Sequence, residues 1–132
     1  MNNNLFKINV SVIIKNYNTF LLIKRDKNDT IFPGYWGIPG GTVELEDKDL
    51  EGALQRECRE EVGIEITNLK LIMNNIVKKE GKAIIYLVFS GEQKSGEPKA
   101  LNEISKVSWK TYDEASKLLL TPYTVDILKT LS

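Results

Sequence analysis

The 132-residue chain contains no histidine at all, a single cysteine and no net charge. Without histidine there is no Ser-His-Asp or Cys-His nucleophilic system and no His-ligated zinc, so proton transfer falls to carboxylates, Lys, Tyr or water. The lone Cys58 removes the intrachain disulfide, the thiolate zinc site and the Cys-x-x-Cys redox pair. Eighteen basic and eighteen acidic residues leave no bulk attraction for nucleic acid or an anionic membrane. The longest apolar run, Ala83 to Phe89, is too short to span a bilayer, and the start Met1-Asn2-Asn3-Asn4-Leu5 lacks a signal-peptide pattern. The expectation is one cytoplasmic domain over residues 1–132, without nucleic-acid or membrane partners.

What is present reads as mixed strands and helices. Phe6 to Lys15 alternates and is rich in Ile and Val, Asn16-Tyr17-Asn18 turns, and Phe20 to Arg25 completes a hairpin. A polar loop, Asp26 to Tyr35, leads to Trp36-Gly37-Ile38-Pro39-Gly40-Gly41. Leu50, Leu54, Cys58 and Val62 then form an i, i+4 ladder, with Asp47 or Asp49 as N-cap and Gly63 as the stop, so a helix is expected over 49–62. Leu69 to Lys79 and Ala83 to Ser90 read as a second hairpin, Gly91 to Leu101 as a loop, and Ile104 to Lys110 as a strand. Thr111-Tyr112-Asp113-Glu114 has capping-box spacing for a short helix to about Leu120, and Thr121-Pro122 starts a last one. This order places the chain in the α+β class.

The chemistry concentrates on the central helix. At about 100° per residue, Glu57, Glu60 and Glu61 share one sector beside the apolar ladder. Two such carboxylates about 4 Å apart repel by roughly 4 kcal/mol at an effective dielectric near 20, a penalty that a divalent cation removes. Oxygen ligands of this kind suit magnesium or manganese. An acidic run on a helix is also what an ordinary solvated face looks like, paired with its Arg and Lys neighbours. The setting separates the two readings: a Gly-Gly loop precedes the helix, Arg56 stands directly before Glu57, and Gly63 follows Glu61 by two residues.

Arg56-Glu57-Cys58-Arg59-Glu60-Glu61-Val62-Gly63-Ile64 resembles the second half of the Nudix hydrolase signature at every fixed position. In the first half, six residues forward from Gly41 is Asp47, while eight back from Arg56 is Lys48, so the loop carries one extra residue and an Asp in place of Glu. The resemblance implies a Nudix-type α/β/α sandwich with a mixed central sheet and a catalytic loop-helix. It implies a metal site, Mg2+ or Mn2+, from Glu57, Glu60, Glu61 and the Gly41 carbonyl, with Arg56 orienting Glu57 and with Glu57 or Glu103 as the base. Arg25 matches a phosphate-contacting position, although it could equally pair with Asp26 or Asp29. Tyr35, Trp36, Phe32 and Tyr123 could stack on a base or simply pack.

The activity so implied is hydrolysis of a nucleoside diphosphate-linked compound, foremost a nucleoside triphosphate split to monophosphate and pyrophosphate, oxidised nucleotides included. Nucleotide sugars or dinucleotides are alternative substrates, and a nucleotide-binding regulatory module that keeps the fold without turnover is a different class of function. The family resemblance also carries the expectation of a homodimer.

Overall fold

The computed structural model describes residues 5–131. Strand β1 (Phe6–Asn16) turns at Tyr17 into β2 (Thr19–Arg25), and short strands β3 (Trp36–Gly37) and β4 (Gly40–Thr42) precede helix α1 (Leu50–Val62). A long hairpin follows, β5 (Glu65–Lys79) and β6 (Lys82–Ser95), then β7 (Ile104–Lys110), α2 (Tyr112–Ser116) and α3 (Pro122–Leu131). All seven strands join one mixed sheet, ordered β3-β2-β1-β6-β5, with β4 paired to β1 and β7 to β2. β1 runs parallel to β6 from Phe6 to Lys15 but meets β2 only near the turn, at Lys15↔Phe20 and Asn16↔Thr19.

Two cores lie on the two faces of this sheet. Val10, Val12, Ile14 and Phe89 face α1 and meet Ala53, Leu54, Cys58 and Val62, the ladder expected from the sequence. Ile13, Leu22 and Val88 point the other way and pack on Ala115, Ile127 and Leu128 of α2 and α3. Each large side chain buried in this way contributes about 1.5–3 kcal/mol, enough to hold the functional helix to β1. The result is the α/β/α layering that the resemblance implies. None of the described helices is long and apolar enough to cross a membrane.

The structure departs from the sequence reading in four places. Trp36-Gly37 and Gly40-Gly41-Thr42 are strands rather than loop, because β2 and β1 offer them pairing edges. β5 starts at Glu65 rather than Leu69, and β6 runs on to Ser95 through what reads as loop. Glu65↔Ser95 and Ile66↔Gln93 pair the two extensions, and the Gln55 side chain clamps Ile66 by bonding both its N–H (3.1 Å) and its carbonyl (2.6 Å). α2 forms the full capping box at Thr111 and Glu114 but stops at Ser116 instead of Leu120. The next segment is taken by β3: Trp36 N–H donates to Leu119 O (2.8 Å) and Thr121 N–H to Trp36 O (2.9 Å).

Candidate active site

Helix α1 is capped by Asp49, whose carboxylate accepts from Gly52 N–H at 2.7 Å, and ends at Gly63 in the left-handed conformation (φ 70°). Asp47, the other candidate cap, serves a different purpose. Its carboxylate takes both Nε (2.9 Å) and Nη2 (3.0 Å) of Arg56 and is only 7% exposed. The same guanidinium donates to Thr42 O (3.1 Å), Glu57 (3.0 Å) and Glu60 (3.3 Å). Asp47 also accepts from Glu44 N–H while its own N–H bonds Glu44 O, closing a turn that aims it inward. These bonds to Arg56 hold the Asp47 carboxyl below its usual range and push the Arg56 pKa up. The extra residue therefore lies between Asp47 and the helix, and the shorter acid still reaches Arg56.

The glycine segment is pinned to β1 by Val12 N–H to Pro39 O at 3.0 Å and by the pairs Ser11↔Gly40 and Val10↔Gly41. At Gly40 it comes too close to the β1 backbone to carry a side chain, and at Gly41 a side chain would displace the end of Glu57. A Cβ on residue 40 would stand 2.2 Å from Val10 O, and one on residue 41 would stand 2.5 Å from the Glu57 carboxylate. Gly40 N–H donates to Glu61 Oε1 at 2.9 Å. Glu57 and Glu61 thus lie against the Gly40-Gly41 backbone, while Glu60 is turned outward on Arg56 with its side chain 53% exposed.

Burial raises Glu57 above the usual carboxylate range even though Arg56 opposes it. Glu61 keeps some contact with solvent along its length, but its carboxylate is densely surrounded. That burial pushes it up to about 8, with Gly40 N–H and Arg25 opposing and the negative charges of Glu57 and Glu103 adding to the rise. Cys58, buried beside them, has its thiol pushed well up by burial and is inert packing.

The C-terminal end of α1 brings in the distal acid. Lys99 N–H and Leu101 N–H bond the carbonyls of Val62 and Glu61, and the Asn102 side chain bonds Glu60 O at 2.6 Å. This strap sets Glu103, an exposed side chain, close enough to act on Glu61. Arg25 lies on the opposite side, its Nε on Ile31 O (2.7 Å) and its Nη2 on Asp29 (2.8 Å), which settles its pairing on Asp29 rather than Asp26.

From Arg25 and Gly40 a cavity of about 190 Å3 runs along the sheet between Ser11, Phe32, Tyr86 and Tyr123. A second cavity of about 270 Å3 shares Phe32, Tyr86 and Tyr123 with it and reaches Met73, Asn75 and Asp126. Tyr123 stacks on Tyr86 with centroids 4.4 Å apart, and its hydroxyl hydrogen-bonds Ser11 Oγ at 2.8 Å. Burial pushes the Tyr123 phenol up to about 12.

Of the sequence-derived residues, the structure brings together Arg25, Gly41, Arg56, Glu57, Glu61, Glu103 and, further along the cleft, Tyr123. Tyr35 and Trp36 do not line either cavity. Tyr35 packs on Phe32 (5.3 Å between centroids), and Trp36 packs against the α3-side core with Lys24 Nζ 6.0 Å over its ring. Ser11 and Tyr86 escape sequence reasoning, although a serine inside the buried run Val10 to Ile14 is a signal that could have marked the first of them.

Among the described residues no three acidic side chains gather at one point, because Arg56 draws Glu60 aside. The donor set nonetheless suits a hard divalent cation. Two half-buried carboxyls lie side by side against the backbone of Gly40-Gly41, and their surroundings raise the pKa of both. Asp47→Ala is expected to lower kcat about tenfold or more by letting Arg56 and Glu57 drift. Asp47→Glu should keep most of the activity, and equal loss in both variants would show that the fork on Arg56 does not position Glu57.

A model of the NUDIX domain matches residues 5–131. The chain is 32% identical over 120 residues to a MutT-like protein of Streptomyces ambofaciens, covering 91% of this chain and 73% of that protein. It is 33% identical over 111 residues to the nucleoside triphosphatase NudI of Escherichia coli K12, covering 76% and 78% respectively. A MutT NUDIX hydrolase of Burkholderia pseudomallei superposes with a TM-score of 0.84 at 26% identity, over 96% of this chain and 98% of that one. With the signature helix packed on the glycine segment within the sandwich, the chain belongs to the NUDIX family and is a Nudix-type phosphoanhydride hydrolase.

Proposed function

We propose that this chain is a magnesium-dependent pyrophosphohydrolase of nucleoside triphosphates, releasing a nucleoside monophosphate and pyrophosphate. The observation that carries the reading is the pair of half-buried carboxylates, Glu57 and Glu61, set against Gly40-Gly41 at the mouth of an aromatic-walled cleft. A nucleotide fits this layout, with phosphates at the carboxylates and Arg25 and the base between Phe32, Tyr86 and Tyr123. The resemblance to a protein named as a nucleoside triphosphatase supports the same substrate class.

Glu57, Glu60, Glu61 and the carbonyl of Gly41 would hold the cation, Glu60 after leaving Arg56; manganese suits the same oxygen donors. The bound cation supplies charge screening for the phosphates and acidifies a water. Glu57 takes the proton from the attacking water, its carboxylate held in direction by Arg56. Glu61, held by Gly40 N–H, keeps the helix carboxylates at the loop. Arg25 has its Nε and Nη2 anchored, which leaves Nη1 for a phosphate oxygen. Tyr123, fixed by Ser11, gives the base a rigid wall.

The test is a panel of nucleoside triphosphates, nucleotide sugars and dinucleotides, assayed with magnesium and with chelator, with products resolved by phosphorus NMR. Monophosphate and pyrophosphate from triphosphates, abolished by chelator, is the expected result. Diphosphate and orthophosphate as products would overturn the assignment of the cleaved bond, and binding without products would turn the reading to a regulatory module.

A further inference from the structure

The loop between β2 and β3 holds Phe32 over the cleft in a conformation that its own residues disfavour. Phe32 has φ 46°, left-handed backbone that a bulky side chain seldom adopts, and it precedes Pro33, which biases a residue toward extended backbone. Burial does not account for it, since Ile31 is 61% exposed and Phe32 43%. The Phe32 ring leans on Tyr35 of the same loop, 5.3 Å between centroids, and lines both cavities of the cleft. Outliers of this kind persist only where the surroundings over-determine them, and they collect at ligand sites.

The bonds that fix Phe32 converge on one carboxylate. φ is a rotation between two peptide groups, and both of those flanking Phe32 are held. Ile31 O accepts from Arg25 Nε at 2.7 Å, and Phe32 O accepts from Tyr35 N–H at 3.2 Å. Asp29 secures the first of these from both ends: its Oδ2 accepts from Arg25 Nη2 at 2.8 Å, and its Oδ1 accepts from Ile31 N–H at 3.2 Å. Ile31 is thus gripped at its N–H by Asp29 and at its carbonyl by the guanidinium that Asp29 orients. The Asp29 side chain is only 15% exposed, so this ion pair is better shielded than an ordinary surface pair. Asp29 lies outside both cavity walls, and what it does to a ligand passes through the two residues it holds.

We infer that Asp29 is a positioning residue for substrate, tying the phosphate contact of Arg25 to the aromatic wall at Phe32 through a single carboxylate. The inference rests on the placement of the phosphates at Arg25 and of the base against Phe32. A nucleotide then meets a phosphate contact and a base wall already set at a fixed separation. Loosening Asp29 leaves both to be ordered on binding, which costs affinity rather than turnover.

The test begins without substrate. In the full chain labelled with 4-fluorophenylalanine, the Phe32 fluorine signal, assigned through Phe32→Leu, should move toward the solvent-exposed position in Asp29→Ala while those of the other three phenylalanines stay in place. On whichever member of the substrate panel is turned over fastest, Asp29→Ala should raise KM about tenfold and leave kcat within about threefold of wild type. Asp29→Asn keeps an acceptor for Ile31 N–H but loses the ion pair, and should raise KM about threefold. In a Phe32→Ala background, Asp29→Ala should raise KM by no more than about threefold, the part owed to Arg25 alone. A Phe32 signal that Asp29→Ala leaves in place overturns the inference whatever the substrate proves to be, and so does a full tenfold loss in the Phe32→Ala background. A signal that moves while Phe32→Ala leaves KM unchanged on every member of the panel strikes the placing of the base on Phe32, and the substrate role of Asp29 falls with it.

Discussion

Glu57→Gln is expected to lower turnover by about 10²- to 10⁴-fold on a triphosphate substrate while leaving the fold and KM nearly unchanged. Glutamine keeps the side chain's length and an oxygen for Arg56 Nη1, so the 3.0 Å contact survives and the space above Gly41 stays filled. What is lost is a basic oxygen. The size of the effect follows from the role: an amide neither takes a proton at neutral pH nor offers an anionic ligand. Glu103→Gln provides the contrast. Glu103 is exposed and acts on Glu61 only through space, so its loss should cost about tenfold or less. If steady-state kinetics showed the reverse order, the base would be Glu103 and Glu57 a ligand alone. Turnover within about threefold of wild type in both variants would remove the carboxylates from the proton transfer altogether.

The aromatic cleft gives a weaker and separable prediction. Tyr123→Phe removes the bond to Ser11 and keeps the ring, whereas Tyr123→Ala removes the wall that stacks on Tyr86. KM should rise about tenfold for Tyr123→Ala and much less for Tyr123→Phe, since a base stacked on an aromatic ring gains about 1–3 kcal/mol. Equal KM values for wild type and Tyr123→Ala across several triphosphates would place the base elsewhere.

These residues differ in how readable they are from the sequence, for physical reasons. α1 and its glutamates are legible because both their spacing and their caps are local: Leu50 to Val62 repeats at helical period, Asp49 begins it and Gly63 ends it. The role of Asp47 is not, because it depends on how a turn closed by Glu44 shortens the path across one extra residue. Tyr86 and Tyr123 sit on different elements, and only the pairing of β6 with β1 and the packing of α3 on the opposite face bring them together. The strand extension to Ser95 carries Glu92, Gln93 and Lys94, which show no apolar alternation, so its pairing with β5 had to be seen. α2 fails to reach Leu120 although its start is plain, since its continuation competes with a ladder bond to Trp36 that no local rule contains.

Glu61 supplies the second large prediction, which concerns stability rather than rate. Its pKa is raised to about 8 in the fold against 4.5 for a free glutamate, so between those values the folded chain holds a proton that the unfolded chain has released. Stability must then fall as pH rises across that window, by about 1.4 kcal/mol per unit while the difference is one full proton. The sum is on the order of 5 kcal/mol, a large part of the 5–15 kcal/mol that holds a typical domain. Glu57, raised in the same direction by burial, steepens the trend. In chelator, wild type should therefore lose denaturation midpoint steadily from about pH 5 to 8, and Glu61→Gln should lose much less, keeping only the Glu57 contribution, and be more stable than wild type at the upper end. Magnesium should reverse the order above pH 7, because a bound cation favours the ionised carboxylate that glutamine cannot supply. A wild-type midpoint that does not move between pH 5 and 8 in chelator would mean that the Glu61 carboxylate is better solvated than its surroundings imply, and the electrostatic case for a cation at this helix would lose its main support.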